Sequence, residues 1–155
     1  MLSIRKAHRA CAGAAILIGC AVPAFAHVFA KPDSARAGSD FTAGFAIGHG
    51  CSGSPTVALR LKIPAGVTAV RPQPKPGWVI LQTADQIEWR GGPLAADRLD
   101  TFTVDMKMPA AAGTVLYFPA EQECRNGIKN WNEIPAAGQN RKDLKSPAPA
   151  LEVTP

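Results

Sequence analysis

Histidine is scarce in this chain: His8, His27 and His49 are its three, in 155 residues. Tyrosine occurs once, and the four cysteines show no CxxC spacing. Each scarcity removes a class of function. So few imidazoles leave little room for a Ser-His-Asp triad, and no HExxH helix, nucleophile elbow or phosphate loop is present. Long apolar runs are missing too. The longest, residues 12–22, is too short to span a bilayer. A basic surface is missing once the first 26 residues are set aside. They hold three of the 17 Lys/Arg and none of the 12 Asp/Glu, so 14 bases face 12 acids, a net of +2 in place of +5. No basic cluster follows, which gives nucleic-acid binding no support.

What is present begins with an export signal. Arg5, Lys6 and Arg9 precede the apolar run, and Ala24-Phe25-Ala26 forms a small-x-small cleavage site. The expected products are a signal peptide over 1–26 and a soluble mature chain of 129 residues, periplasmic or secreted, with no membrane span left. That length suits one domain with a real core. Cys11 and Cys20 leave with the leader. Cys51 and Cys124 remain, and in an oxidising compartment a disulfide is the default for such a pair. It would close a loop of about 73 residues, worth roughly 4 kcal/mol in the chain-entropy picture. A thiolate metal site is the alternative.

Alternation dominates the rest, and helical periodicity is nearly absent. Phe41, Ala43, Phe45 and Ile47 share one parity; so do Val57, Leu59, Leu61 and Ile63, and Phe102, Val104, Met106 and Met108. Each set predicts a strand with one face in a core and one in water. Shorter strands are expected over 27–31, 66–71, 77–83, 86–90, 114–120 and 128–134. Pro64-Ala65-Gly66, Gly91-Gly92-Pro93, residues 109–113 and Arg125-Asn126-Gly127 look like turns. Asn126-Gly127 suits a tight hairpin. Pro72, Pro74 and Pro76 lack an N–H, so that stretch must be an edge or a crossover between sheets. About eight short strands imply an all-β sandwich over 27–137, of immunoglobulin, fibronectin-III or cupredoxin type, with the disulfide tying its sheets together. Residues 138–155 read as a loose Pro-rich tail in which Leu151-Glu152-Val153 adds a last edge strand.

His27 is the sharpest functional signal. Cutting after Ala26 makes it the first mature residue, with two donors, its α-amine and its imidazole Nδ1, that close a six-membered chelate ring on a metal. A free amine has a pKa of about 7.7–8.0, so a metal displaces its proton near neutrality. Some residue must follow any cleavage site, and chance is the competing explanation. His49, flanked by Gly48 and Gly50, is either a turn residue or a second nitrogen donor. Imidazole suits copper, zinc and nickel, and copper(II) heads the divalent affinity order. Trp131 is a core residue or a wall beside a metal, and Glu133 shares its parity. Trp78 and Trp89 look like core. Met106 and Met108 point the same way, as a copper(I) pair would, but they complete an apolar face. Asp33 and Asp40, the carboxylates between His27 and Cys51, read as solvated turn residues.

Taken in order, several pieces resemble the YcnI-like copper-binding family of exported β-sandwich domains. They are His27-Val28 after the cleavage site, the stretch from Gly50-Cys51 to Pro55-Thr56, Arg71-Pro72 through Gly77-Trp78, Trp89-Arg90-Gly91-Gly92, Leu116-Tyr117-Phe118-Pro119, Glu123-Cys124 and Trp131-Asn132-Glu133-Ile134-Pro135. The resemblance implies copper(II) on the N-terminal histidine, a carboxylate donor and a nearby tryptophan. His27 and Trp131 take the first and last roles. Phe41 stands where some relatives carry Glu, with Asp40 beside it, so Asp40 or His49 is the expected third donor. It also implies a role in copper homeostasis, as a buffer or metallochaperone whose partners are copper and other periplasmic copper-handling or membrane transport proteins. The other readings are a copper-dependent oxidative enzyme of the histidine-brace type and a metal-free immunoglobulin-like interaction domain. A lytic polysaccharide oxidase, the nearest such enzyme, needs a second histidine and an aromatic substrate face, for which one tyrosine is poor material.

Overall fold

A computed structural model describes residues 27–155. The expected leader and cleavage site, with Cys11 and Cys20, lie outside the described residues. The chain folds into the expected β-sandwich. One sheet orders β1 (Val28–Lys31), β3 (Asp40–Ile47), β8 (Asp100–Lys107) and β5 (Thr68–Pro72). The facing sheet orders β11 (Ile128–Trp131), β10 (Ala120–Cys124), β4 (Thr56–Lys62), β7 (Gln86–Leu94) and β6 (Trp78–Gln82). A third, smaller sheet holds β2 (Ser34–Arg36), β12 (Ala150–Thr154) and β9 (Val115–Tyr117).

The alternation sets the core. Phe45 and Phe102 pair across β3 and β8, both fully buried. Phe102 meets Trp89 of the facing sheet at 5.4 Å and Trp78 edge-on at 4.9 Å; Phe45 meets Phe118 at 5.1 Å. Tilted and edge-on contacts of this kind are the favoured aromatic geometries. Met106 and Met108 are buried in the same cluster, so they are core as read. Trp89 is fully buried, and Trp78 packs against the core from the edge strand β6. The Pro-rich stretch is both things expected of it. Pro72 ends the edge strand β5, and residues 73–77 cross to the edge strand β6 of the other sheet.

Four expectations need correction. Val57 is only half-buried, while Thr56 and Ala58 are buried, because a bulge between Thr56 and Ala58 breaks the alternation at the start of β4. Gly91-Gly92-Pro93 is not a turn: β7 runs on to Leu94. Backbone of Gly77 and Trp78 fills the space a Cβ on Gly91 would need, with the Gly77 oxygen 2.3 Å from it, so only glycine lets the two strands stay paired. The strand expected over 114–120 splits at Phe118-Pro119, β9 joining the small sheet and β10 the large one. Finally, Leu151-Glu152-Val153 is not an edge strand. β12 is the centre of its sheet, parallel to β2 and antiparallel to β9, and Leu151 and Val153 are fully buried.

β10 escaped the sequence reading because Glu121-Gln122-Glu123 is wholly polar. The two glutamates face outward. Arg60 of β4 donates to Glu121, to Glu88 at 3.2 Å and to Glu123 at 2.7 Å, and Arg90 of β7 joins Glu88 and Glu123. Hydrogen bonds from Arg60 and Arg90 hold the Glu123 carboxyl below the usual range. Gln122, between the glutamates, faces inward.

The position of β12 yields a stability prediction. Leu151→Ala should cost about 2–5 kcal/mol, the usual loss for a buried leucine, measured by denaturant unfolding. A change below about 0.5 kcal/mol, as for a solvated tail, would contradict the packing described.

Candidate metal centre

Strand register builds the site. β1 runs antiparallel to β3 with Val28 opposite Ile47, so His27 and the loop that follows β3, Gly48-His49-Gly50-Cys51, emerge at the same end of the sheet. β11 is the outer strand of the facing sheet. Its last residue, Trp131, reaches His27: the ring centroids are 5.3 Å apart with the planes tilted by 49°. Trp131 is 2% exposed, whereas His27 is half-buried.

Gln122 holds this arrangement. It is 1% exposed, and its amide is bonded at both ends. Its Oε1 accepts from the Trp131 indole Nε1 at 3.1 Å, while its Nε2 donates to Thr56 Oγ1 at 2.8 Å and to the His49 carbonyl at 3.0 Å. A buried amide with partners at both ends fixes geometry well, because every lost bond leaves a desolvated polar group. The Cys51–Cys124 disulfide forms beside it, as the cysteine count suggested. It joins the loop after β3 to the end of β10, rather than sheet to sheet. With both sulfurs in the bridge, the alternative of a thiolate metal site is closed. Cys51 N–H also donates to Cys124 Sγ at 3.0 Å. Gly50 permits the turn, since a Cβ there would lie 1.9 Å from the Ser54 carbonyl oxygen.

The structure therefore brings together His27, His49 and Trp131. His49 sits beside Gln122, Lys129 and Trp131 in one cleft, with its Nδ1 3.4 Å from the Gly50 carbonyl. It lies close enough for its charge to act on His27. Asp40 is not part of this group. It opens β3, opposite Lys107, seven residues from Ile47 and so roughly 24 Å along the strand. It lines a separate hollow with Arg71 and Asp105. The expected oxygen ligand at Asp40 is thus displaced by strand register itself. Asp33 is exposed in the turn after β1. Glu133 is half-buried, and its carboxylate accepts from the Ser146 N–H, pinning the segment after β11. Among the described residues, no group of three His, Cys, Asp or Glu side chains is placed to hold a metal.

Apart from Gln122, the residues that sequence reasoning missed are cationic. A cleft of about 640 Å³ on the other side of His27 has Arg141, Lys142 and Lys145 on its walls and Phe29, Leu144 and Pro147 among its lining. Arg141 and Lys142 lie in a short 3-10 helix, Arg141–Asp143, whose amide at Lys142 is capped by Asn140 Oδ1. Lys129 stands over Trp131, its Nζ 5.6 Å from the ring centroid. Burial, then the charges of Arg141, His49 and Lys129, lower the pKa of His27. The imidazole is therefore held toward its neutral, metal-ligating form.

Two measurements test this geometry. A folded pKa below the unfolded 6.5 means that His27 contributes stability in full above about pH 6.5, lost as pH falls through the folded value. NMR titration of the His27 ring should give a midpoint below 6.5, and Arg141→Gln should move it up. Gln122→Leu should cost about 1–3 kcal/mol for the indole N–H and His49 carbonyl it leaves unbonded, together with a red-shifted Trp131 emission. An unchanged midpoint of unfolding would show that the amide is not the clamp.

Residues 27–86 and 79–153 match the family described as "Domain of unknown function (DUF1775)", which spans nearly all of the described chain. The fold is similar to that of an uncharacterized protein from Nocardia farcinica, whose crystal structure reveals an immunoglobulin-like fold. The two share 26% identity at a TM-score of 0.71, over 83% of this chain and 99% of that one. No curated protein matches. The fold is thus immunoglobulin-like, with one disulfide, and the chain belongs to the DUF1775 family.

Proposed function

We propose that this chain is an exported copper(II)-binding domain of the YcnI-like kind, acting in the periplasm to buffer copper or hand it on. Removal of residues 1–26 would give His27 a free α-amine beside its imidazole. The observation that carries this reading is the contact of His27 with the buried indole of Trp131, 5.3 Å between centroids. A ring so placed is fixed in position and shielded on one side from water. Membership of the DUF1775 family supports it, as do the ordered motifs quoted above.

The donor chemistry fits copper better than a hard cation. Two nitrogens from His27 and a third from the neighbouring His49 suit copper(II), whereas calcium and magnesium require oxygen donors. The chain's own part is to keep the imidazole neutral and to hold Trp131 against it through Gln122. Copper and the periplasmic or membrane transport proteins that give or receive it are the partners this implies. Neither the family description nor the structural relative names an enzyme, and we assign no reaction. Among the described residues no helix is long and apolar enough to cross a membrane.

Titration calorimetry with copper(II) tests the proposal on two forms of the protein, one beginning at His27 and one with a single alanine before it. The extension blocks the chelate ring and leaves the fold intact. Its Kd should be weaker by at least about tenfold, or 1.4 kcal/mol. Equal affinities would refute the role of the amine.

A further inference from the structure

We propose, resting on the copper reading above, that the cleft beside His27 is a carboxylate site, and that a carboxylate bound there supplies the oxygen donor which the described side chains do not bring to the metal. Two observations meet at this point. The first is the donor set. Asp40 is at the far end of β3, and Glu133 is bonded to the Ser146 N–H. Among the described residues the surroundings of His27 yield no three-residue His, Cys, Asp or Glu cluster. The second is the sign of the charge around it. Arg141, Lys142 and Lys145 line the cleft with His27, and Lys129 lies on the other side of the site. Asp143, the one acid in 138–146, does not line it.

Four cations around a dication are a poor arrangement unless an anion joins them. Nitrogen ligands from His27 and His49 are neutral and leave the full charge of the metal in place. A carboxylate reduces that charge and bonds to the cations at the same time, through charge-assisted hydrogen bonds. Arg141 is held for such a task. Its Nη2 donates to the Ala148 carbonyl at 2.8 Å, which fixes the guanidinium while using one of its five N–H donors. Phe29, Leu144 and Pro147 give the cleft an apolar part that accepts an aliphatic carbon chain. The carboxylate can belong to a small acid that travels with copper or to an acidic side chain of a protein that exchanges copper with this one. The chemistry is the same.

The experiment uses mature protein at constant ionic strength, with succinate and a tri-glutamate peptide as probes, first without metal. Succinate should give saturable shifts of the 141–145 amides and the His27 ring in NMR spectra, and Arg141→Gln/Lys145→Gln should abolish them. With copper(II), succinate should tighten metal retention roughly tenfold in the parent and move the electron paramagnetic resonance parameters toward mixed nitrogen and oxygen ligation. The double variant should still bind copper in a non-coordinating buffer but show no response to succinate. A response to the peptide alone assigns the carboxylate to a partner protein; a response to succinate assigns it to a small acid. No saturable shift with either probe, or succinate stripping copper equally from both proteins, overturns the proposal. Saturable succinate binding by a protein that takes up no copper overturns the metal reading and the donor role, and leaves the cleft as an anion site.

Discussion

The amide of Gln122 is the interaction on which this end of the molecule depends. It lies in a core built mainly from aliphatic and aromatic side chains, with Thr56 as its buried polar neighbour, and a desolvated amide tolerates few arrangements. Its bonds tie the β10–β11 hairpin to a stretch far back in the sequence: they reach the indole of β11 on one side, and on the other the hydroxyl at the start of β4 and the carbonyl of the loop after β3. The Cys51–Cys124 bridge closes the same loop onto the same strand. With the loop and the indole fixed to one residue, the position of His27 between them follows from the pairing of β1 with β3.

The rest of the fold serves that junction. The aromatic cluster of Phe45, Phe102, Phe118 and Trp89 sets the spacing of the sheets. The outward ion network of Arg60, Arg90, Glu88, Glu121 and Glu123 lies on the opposite face of β10, which carries Gln122, and of its neighbours β4 and β7. Its members are partly exposed, and single exposed pairs contribute little to stability. Their effect is on register: a one-residue slip of β10 would turn its glutamates into the core and Gln122 into water.

Charge sets the character of this site. Strand register carries Asp40 to the opposite end of β3, while the 3-10 helix and its neighbours bring Arg141, Lys142 and Lys145 to His27. An imidazole in such a field is a ready ligand, because protonation is disfavoured. The same field resists an uncompensated dication. On the copper reading proposed above, these two effects together favour uptake of the metal with an accompanying anion over uptake as a bare ion.

The sequence by itself determined the class of fold, the core strands β3, β4 and β8, the edge character of the proline stretch and the pairing of the two cysteines. Each depends on local pattern, namely side-chain parity, a missing N–H, or a count of cysteines. It also singled out His27, His49 and Trp131, whose chemistry is legible one residue at a time. Tertiary structure decided the rest. A wholly polar Glu-Gln-Glu run gives no hydrophobic signal, so β10 and the inward Gln122 became visible only once a neighbouring strand fixed the parity. Leu151 and Val153 looked like an edge in a tail because nothing local shows that β2 and β9 flank them. Asp40 fell away from the site for the same reason: position along the chain does not encode which end of a strand faces the site, and register does.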